Sequence, residues 1–303
     1  MHLNPTDVLL LDTQERVFSW RNLSFCGVYW VMRKPVFKLF CLLLCVFSLW
    51  GCGGRPGVLS YEIGDRGVTI TDCDEAAEGD LEVPAEIEGL PVTSIGSYAF
   101  EGCRSLTSVT IPEGVTSMWE RAFVDCSSLT SIIIPEGVTS IGGAAFGNCS
   151  NLTSITIPDS VTSIGDEAFA RCIRLTSIII PESVTSIGEV AFLQCAGLTS
   201  ITIPDGVTSI GEYAFSDCSS LTEITVPDSV IIIEDAAFEF CSSLTSITIP
   251  DSVTSIGDGA FEDCISLTSI IIPQAFHSED EASRLRLDEL WPDGFSMPAS
   301  TIK

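Results

Sequence analysis

The sequence predicts a repeat solenoid, a stack of 23-residue coils made mainly of short parallel β-strands with short helical turns between them. Three columns of residues predict it. Proline recurs at 112, 135, 158, 181, 204, 227, 250 and 273; phenylalanine at 100, 123, 146, 169, 192, 215, 238 and 261; leucine at 106, 129, 152, 175, 198, 221, 244 and 267. Every interval is 23, with no insertion, and a fixed period of this length is the signature of stacked units.

Within a unit, Leu-Thr-Ser-Ile-x-Ile is β-branched and turns Leu, Ile and Ile toward one side, which is strand chemistry. Proline ends this strand because it has no amide hydrogen for a ladder. Val-Thr-Ser-Ile is a second short extended piece, glycine turns it, and the stretch around Ala-Phe is expected to form one turn of helix. One unit has too few apolar side chains to offset the entropy of ordering its own backbone. Stacking makes the sum favourable, since each strand pairs with the next and each apolar row is covered by its neighbour. With strands about 4.8 Å apart, eight coils extend roughly 40 Å. The solenoid is expected over 81–273, starting with the degenerate turn Leu81 to Ile95.

The pattern L-x-x-I-x-I-P…V-T-x-I-G-x-x-A-F-x-x-C closely resembles the BspA-like class of bacterial leucine-rich repeats. The resemblance implies a right-handed superhelix and a surface or secreted protein, with adhesins for host or matrix proteins among the family. Trp119 and Glu234 replace the turn glycine seen at 142, 165, 188, 211 and 257. The second and seventh coils are therefore expected to be locally distorted or to carry a specific feature.

The flanks have different roles. Residues 33–38 (RKPVFK) precede the apolar run LFCLLLCVFSLW, the layout of an export signal too short for a comfortable membrane span. Leu49-Trp50-Gly51-Cys52 resembles the bacterial lipobox, which implies cleavage before Cys52 and acylation of that residue. Several acyl chains on one residue suffice for stable anchoring. The expected divisions are a mis-called extension over 1–31, a signal peptide over 32–51, a linker and the start of a cap over 52–80, and a C-terminal cap helix and tail over 274–303. Ser278 with Glu281 three residues on is a capping-box signature, and Leu285, Leu287, Leu290 and Trp291 can cover the last coil. An uncovered terminal strand would invite edge-to-edge pairing.

With 41 acidic and 14 basic residues the formal charge is −27. Such a balance disfavours nucleic acid and anionic lipid surfaces as partners, leaving membrane contact to the lipid anchor. No Gly-rich phosphate loop, H-E-x-x-H or nucleophile elbow is present, and the only histidines are His2 and His277, so no enzyme and no cofactor are expected. Eight of the 13 cysteines are in register at 103, 126, 149, 172, 195, 218, 241 and 264. Zinc needs paired ligands such as C-x-x-C and a thiol protease needs a histidine partner, so the column reads as small, buried packing residues with a weak donor. Neighbouring rungs lie close enough for disulfides in an oxidising compartment, but a row of identical contacts selects no partner.

Two surface columns are candidate sites. Alternation turns Ser108, Ser131, Ser154, Ser177, Ser200, Glu223, Ser246 and Ser269 outward, followed by Thr110, Ile133, Thr156, Ile179, Thr202, Thr225, Thr248 and Ile271. This sheet face is hydroxylated and nearly uncharged, and Ile133, Ile179 and Ile271 should protrude from it as protein contacts. Its Ser-x-Thr array is also similar to ice-binding solenoids, but the isoleucines and Glu223 interrupt it. Glu113, Glu136, Asp159, Glu182, Asp205, Asp228 and Asp251 follow the prolines. Unit charges about 5 Å apart repel by roughly 0.8 kcal/mol per pair in water, a cost that divalent cations between rungs would relieve. The expected function is a non-catalytic, lipid-anchored module that binds an extracellular protein or glycan. The alternative is a structural envelope component without a specific ligand.

Overall fold

The computed structural model describes residues 57–285 and 287 and is a β-solenoid. Each coil contributes two short extended segments and a wall of turns; at Ser177 and Ile179 the first of these is reduced to isolated bridges. One strand wall contains Ser105–Thr110, Ser131–Ile133, Ser154–Thr156, Ser200–Thr202, Glu223–Thr225, Ser246–Thr248 and Ser269–Ile271. The other contains Leu90–Ile95 and two-residue strands such as Ser163–Ile164 and Ser255–Ile256. Pairing between coils is parallel and in register, as in Ser131 with Ser154 and Ile232 with Ser255, so like residues sit over like.

The columns that define the repeat fill its interior. All eight repeat phenylalanines are fully buried, as are the eight alanines before them. Successive rings stack at 4.7 to 5.8 Å between centroids, with interplanar angles of 3 to 12°. These separations correspond to the offset-stacked geometry that aromatic pairs prefer. Alanine fits before each ring because the Phe N–H bonds the alanine carbonyl of the next coil, at 2.8 Å for Phe146 to Ala168.

The turn wall departs from the expected turn of helix. In every coil the residues two before and two after Phe have positive φ, for example Ala144 (50°) and Asn148 (60°) around Phe146. Only Gly102 and Gly259 among these sixteen are glycines. Left-handed backbone costs an L-residue roughly 1–2 kcal/mol. Here it turns alternate amides outward, so Ala144, Phe146 and Asn148 donate to Asp166, Ala168 and Ala170 of the following coil. A helix would have kept those donors within its own coil. The gain is a third ladder between coils, which offsets the local strain.

The turn glycines also lie against the preceding coil, where a Cβ at Gly142 would come within 2.5 Å of Trp119 backbone. The coils of Trp119 and Glu234 nevertheless keep their ladder, with Trp119 N–H on Ile95 O at 3.1 Å and Glu234 N–H on Ile210 O at 2.9 Å. The expected distortion is thus absent from the ladder, and Glu234 carries a specific feature instead. Its Oε2 accepts the Glu212 N–H at 3.1 Å.

The N-terminal cap begins before residue 81. β1 (Leu59–Gly64) and β2 (Gly67–Cys73) form an antiparallel hairpin, and β2 then pairs in parallel with the strand Leu90–Ile95. Within the stretch expected as linker and start of the cap, pairing with the stack begins at Val68. At the other end a 3-10 turn (Gln274–Phe276) leads into α1 (Glu279–Arg284). Ser278 Oγ accepts the Glu281 N–H at 3.2 Å, one half of the expected capping box, while the Glu281 carboxylate turns to Arg284. Leu285 and Leu287 are fully buried, whereas Leu290 and Trp291 lie outside the described residues. The expected extension 1–31, signal 32–51 and lipidation residue Cys52 also lie outside them.

Candidate interaction surface

The first strand wall presents the expected face. Ser131, Ser154, Ser177, Ser200, Glu223, Ser246 and Ser269 are exposed, as are Thr110, Thr156, Thr202, Thr225 and Thr248. Ser108 differs, being half-buried and donating to Asp80 Oδ1 at 2.7 Å. Together with the Thr107 hydroxyl it holds the Asp80 carboxyl below the usual carboxylate range, because both bonds favour the ionised form. A neighbouring threonine column binds coil to coil, with Thr130 Oγ1 on Thr107 O at 3.0 Å and Thr153 Oγ1 on Thr130 O at 3.2 Å. Those hydroxyls are partly engaged by the fold.

The isoleucines are unequal. Ile133 is 71% exposed and Ile179 82%, but Ile271, just before the 3-10 turn, is only 39% exposed. Ile133 and Ile179 stand on either side of Thr156 in one register column. At two strand spacings they are about 10 Å apart. Two fully presented aliphatic side chains on an uncharged hydroxylated field constitute the apolar feature of this face.

The seven acids Glu113, Glu136, Asp159, Glu182, Asp205, Asp228 and Asp251 are all exposed at equivalent places in successive coils. Within this row the Glu182 Oε2 accepts the Asp205 N–H at 3.3 Å. Among the described residues no group of three or more His, Cys, Asp or Glu side chains could hold a metal ion. The acids therefore form a solvated row without a gathered ligand set.

The nine described cysteines are buried free thiols. From the second coil on, each Sγ donates to the Phe carbonyl of the preceding coil, at 3.2 Å for Cys195 to Phe169. That carbonyl already accepts the amide three residues on, as in Cys172 N–H to Phe169 O, so the thiol satisfies its second lone pair. Burial pushes Cys149, Cys195 and Cys264 up to about 12, far from the thiolate a nucleophile or metal ligand requires. His277 Nε2 lies 3.0 Å from Ile272 O in the C-terminal cap.

A family model for the BspA type leucine rich repeat region, with six copies, matches residues 86–198 and 185–283. The chain belongs to this family. The T. pallidum leucine rich repeat protein TpLRR is 27% identical, the match covering 81% of this chain and 100% of that one, with a TM-score of 0.58. A leucine rich cell surface protein from Faecalibacterium prausnitzii is 23% identical over 78% of this chain and 98% of that one, TM-score 0.31. The pneumococcal vaccine antigen PcpA is 19% identical over 72% and 81% of the two chains, TM-score 0.37. No curated protein matches the chain. Membership in the BspA type agrees with the coil geometry above, and proteins of such repeats are generally non-enzymatic scaffolds.

Sequence reasoning missed a different surface. Val190, Leu193, Tyr213 and Phe240 gather on the turn wall of three successive coils. The available signal was variation among the eight copies, since the positions flanking Ala-Phe differ from coil to coil while the sheet face hardly changes.

Proposed function

We propose that the protein is an exported, non-catalytic interaction scaffold, anchored through lipid on Cys52, whose sheet face docks an extracellular protein or glycan. The observation that carries this reading is the exposed pair Ile133 and Ile179 on a nearly uncharged face of serine and threonine. Large apolar side chains presented this way on a soluble surface mark contact sites. A rigid stack also holds them at fixed spacing without ordering cost on binding. Export fits the basic-then-apolar leader, and an anchor at Cys52 would place the stack outside the membrane.

The test has two arms. Protease shaving of intact cells should remove the solenoid, and failure to reach it from outside rules out the surface assignment. Purified chain is then screened against a panel of extracellular proteins and glycans beside an Ile133→Ser/Ile179→Ser variant. A ligand lost in the variant supports the sheet face; ligands bound equally by both proteins refute it.

A further inference from the structure

We propose that the turn wall of the coils carrying Phe192, Phe215 and Phe238 is a second docking site, which takes a cationic peptide segment with an apolar anchor. This surface is separate from the sheet face and does not depend on the reading given for it.

The side chains carried on the left-handed positions point to it. Several left-handed positions hold residues suited to that backbone, such as Gly102, Asp125, Asn148 and Asp263. Where Tyr98 and Arg121 occupy them, the guanidinium lies over the ring at 5.7 Å, so each has a partner on the chain. Val190 (φ 60°), Tyr213 (φ 51°) and Phe240 (φ 58°) are bulky and apolar, and one of them is β-branched. They are neighbours across three coils and, with Leu193, line one groove of about 380 Å3. Tyr213 and Phe240 are 38% and 43% exposed. The ladder imposes this backbone on every coil, so what sets these three apart is the bulky apolar side chains they place on it, which together line a single depression.

The groove's other end sets the charge of its occupant. At Tyr213 and Glu239 it continues into a second depression of about 570 Å3, lined by Glu212, Asp235, Asp258 and Asp280 among others. The chain's own Arg284 lies at the far end, its guanidinium 3.0 Å from Asp258 Oδ1, so this wall already holds one arginine. An anionic partner would be repelled, and a bare metal ion finds no gathered ligand set among the described residues. Lysine and arginine side chains flanking an aliphatic or aromatic residue match both halves. The two depressions together span four coils and the C-terminal cap, about four strand spacings or roughly 19 Å, which is five to six extended residues.

The probe is a fluorescein-labelled peptide KRFKR, titrated by anisotropy into the full chain, with KRSKR and EDFED as controls. The expected result is saturable binding of KRFKR, at least tenfold weaker binding of KRSKR, and none of EDFED. Phe240→Asn and Glu212→Gln should each weaken KRFKR at least fivefold, while Ile133→Ser leaves it unchanged. Asparagine suits a left-handed backbone, so Phe240→Asn should melt no lower than the parent, and its weaker binding cannot then be ascribed to unfolding. Failure of KRFKR to bind, equal binding of KRSKR, or an unchanged affinity in Phe240→Asn would each overturn the proposal; equal binding of KRSKR would mean plain attraction to an acidic surface.

Discussion

Phe169 is the sharpest test of the stacked interior. Its ring is fully buried between Phe146, 5.5 Å away at 7°, and Phe192, 5.3 Å away at 12°. Replacing a buried phenylalanine by alanine costs about 3–5 kcal/mol, and each lost aromatic pair adds about 0.5–1.5 kcal/mol. Because part of the pair energy is already contained in the truncation cost, Phe169→Ala should lose about 4–6 kcal/mol. Phe261 stacks on a single described ring, Phe238 at 5.7 Å, so Phe261→Ala should lose about 1 kcal/mol less. Phe169→Leu keeps most of the volume and forfeits the stacking, for about 1–3 kcal/mol. Urea unfolding followed by circular dichroism reads these as midpoint shifts. With a slope near 3 kcal/mol per molar, Phe169→Ala moves the midpoint down by roughly 1.5–2 M. In a nearest-neighbour array the mid-stack lesion should also broaden the transition as the two halves uncouple. A loss below about 1.5 kcal/mol, or Phe261→Ala costing more than Phe169→Ala, would refute a coupled column.

The thiols and one carboxylate make further predictions. Native protein treated with iodoacetamide at pH 8 should show no labelling of Cys195 by peptide mass analysis, and full labelling in urea, because burial keeps that thiol up at about 12. Labelling of native Cys195 at the rate of a free thiol would contradict the buried column. Glu239 has its carboxyl pushed above its ordinary value of 4.5, first by burial and then by Glu262, Asp263 and Asp217, with the Ser216 hydroxyl opposing. The folded state then binds the proton more tightly than the unfolded chain, so stability falls as pH rises from the ordinary value through the raised one. Glu239→Gln should flatten the loss of Tm between pH 4.5 and 7; parallel slopes in variant and parent would show that Glu239 plays no part.

The strand walls and the buried columns were legible because stacking imposes one rule on eight copies, and Pro112, Leu106 and Phe100 each begin a series that nothing interrupts. Burial of the thiols followed from the same regularity. Their bond to the Phe carbonyl did not, since it joins residues 26 apart through a fold that had first to be known. The turn wall was misjudged because residues such as Val190 and Glu167 oppose the backbone they adopt. Only the ladder to the next coil accounts for that backbone, and propensity carries no trace of it. The β1–β2 hairpin escaped notice for a related reason. Its β1 strand, with Tyr61 and Ile63 exposed, has no partner column to mark it. On the candidate surfaces, alternation identified the sheet face, whereas the groove at Tyr213 and Phe240 depends on which coils are neighbours and which side their variable residues share.

The two kinds of ladder also explain how the stack ends. At the end of the second strand wall each amide donates backward, as Gly257 N–H does to Ile233 O, while the turn wall donates forward, as Phe238 N–H does to Ala260 O. The last coil therefore lacks a donor for one wall and an acceptor for the other, and a simple apolar lid would leave both unpaired. Arg284 supplies each. Its carbonyl accepts the Gly259 N–H at 2.9 Å, where a ninth coil would have offered a turn carbonyl. Its guanidinium donates to Ile256 O, the carbonyl that a ninth coil's amide would have reached. Asp258 and Glu281 hold that guanidinium in place, and Leu285 and Leu287 cover the apolar interior beside it. One residue thus supplies one hydrogen bond to each ladder where the next coil is missing. The repeat itself contains no stop signal, so the array ends where a cap engages both ladders and covers the apolar interior.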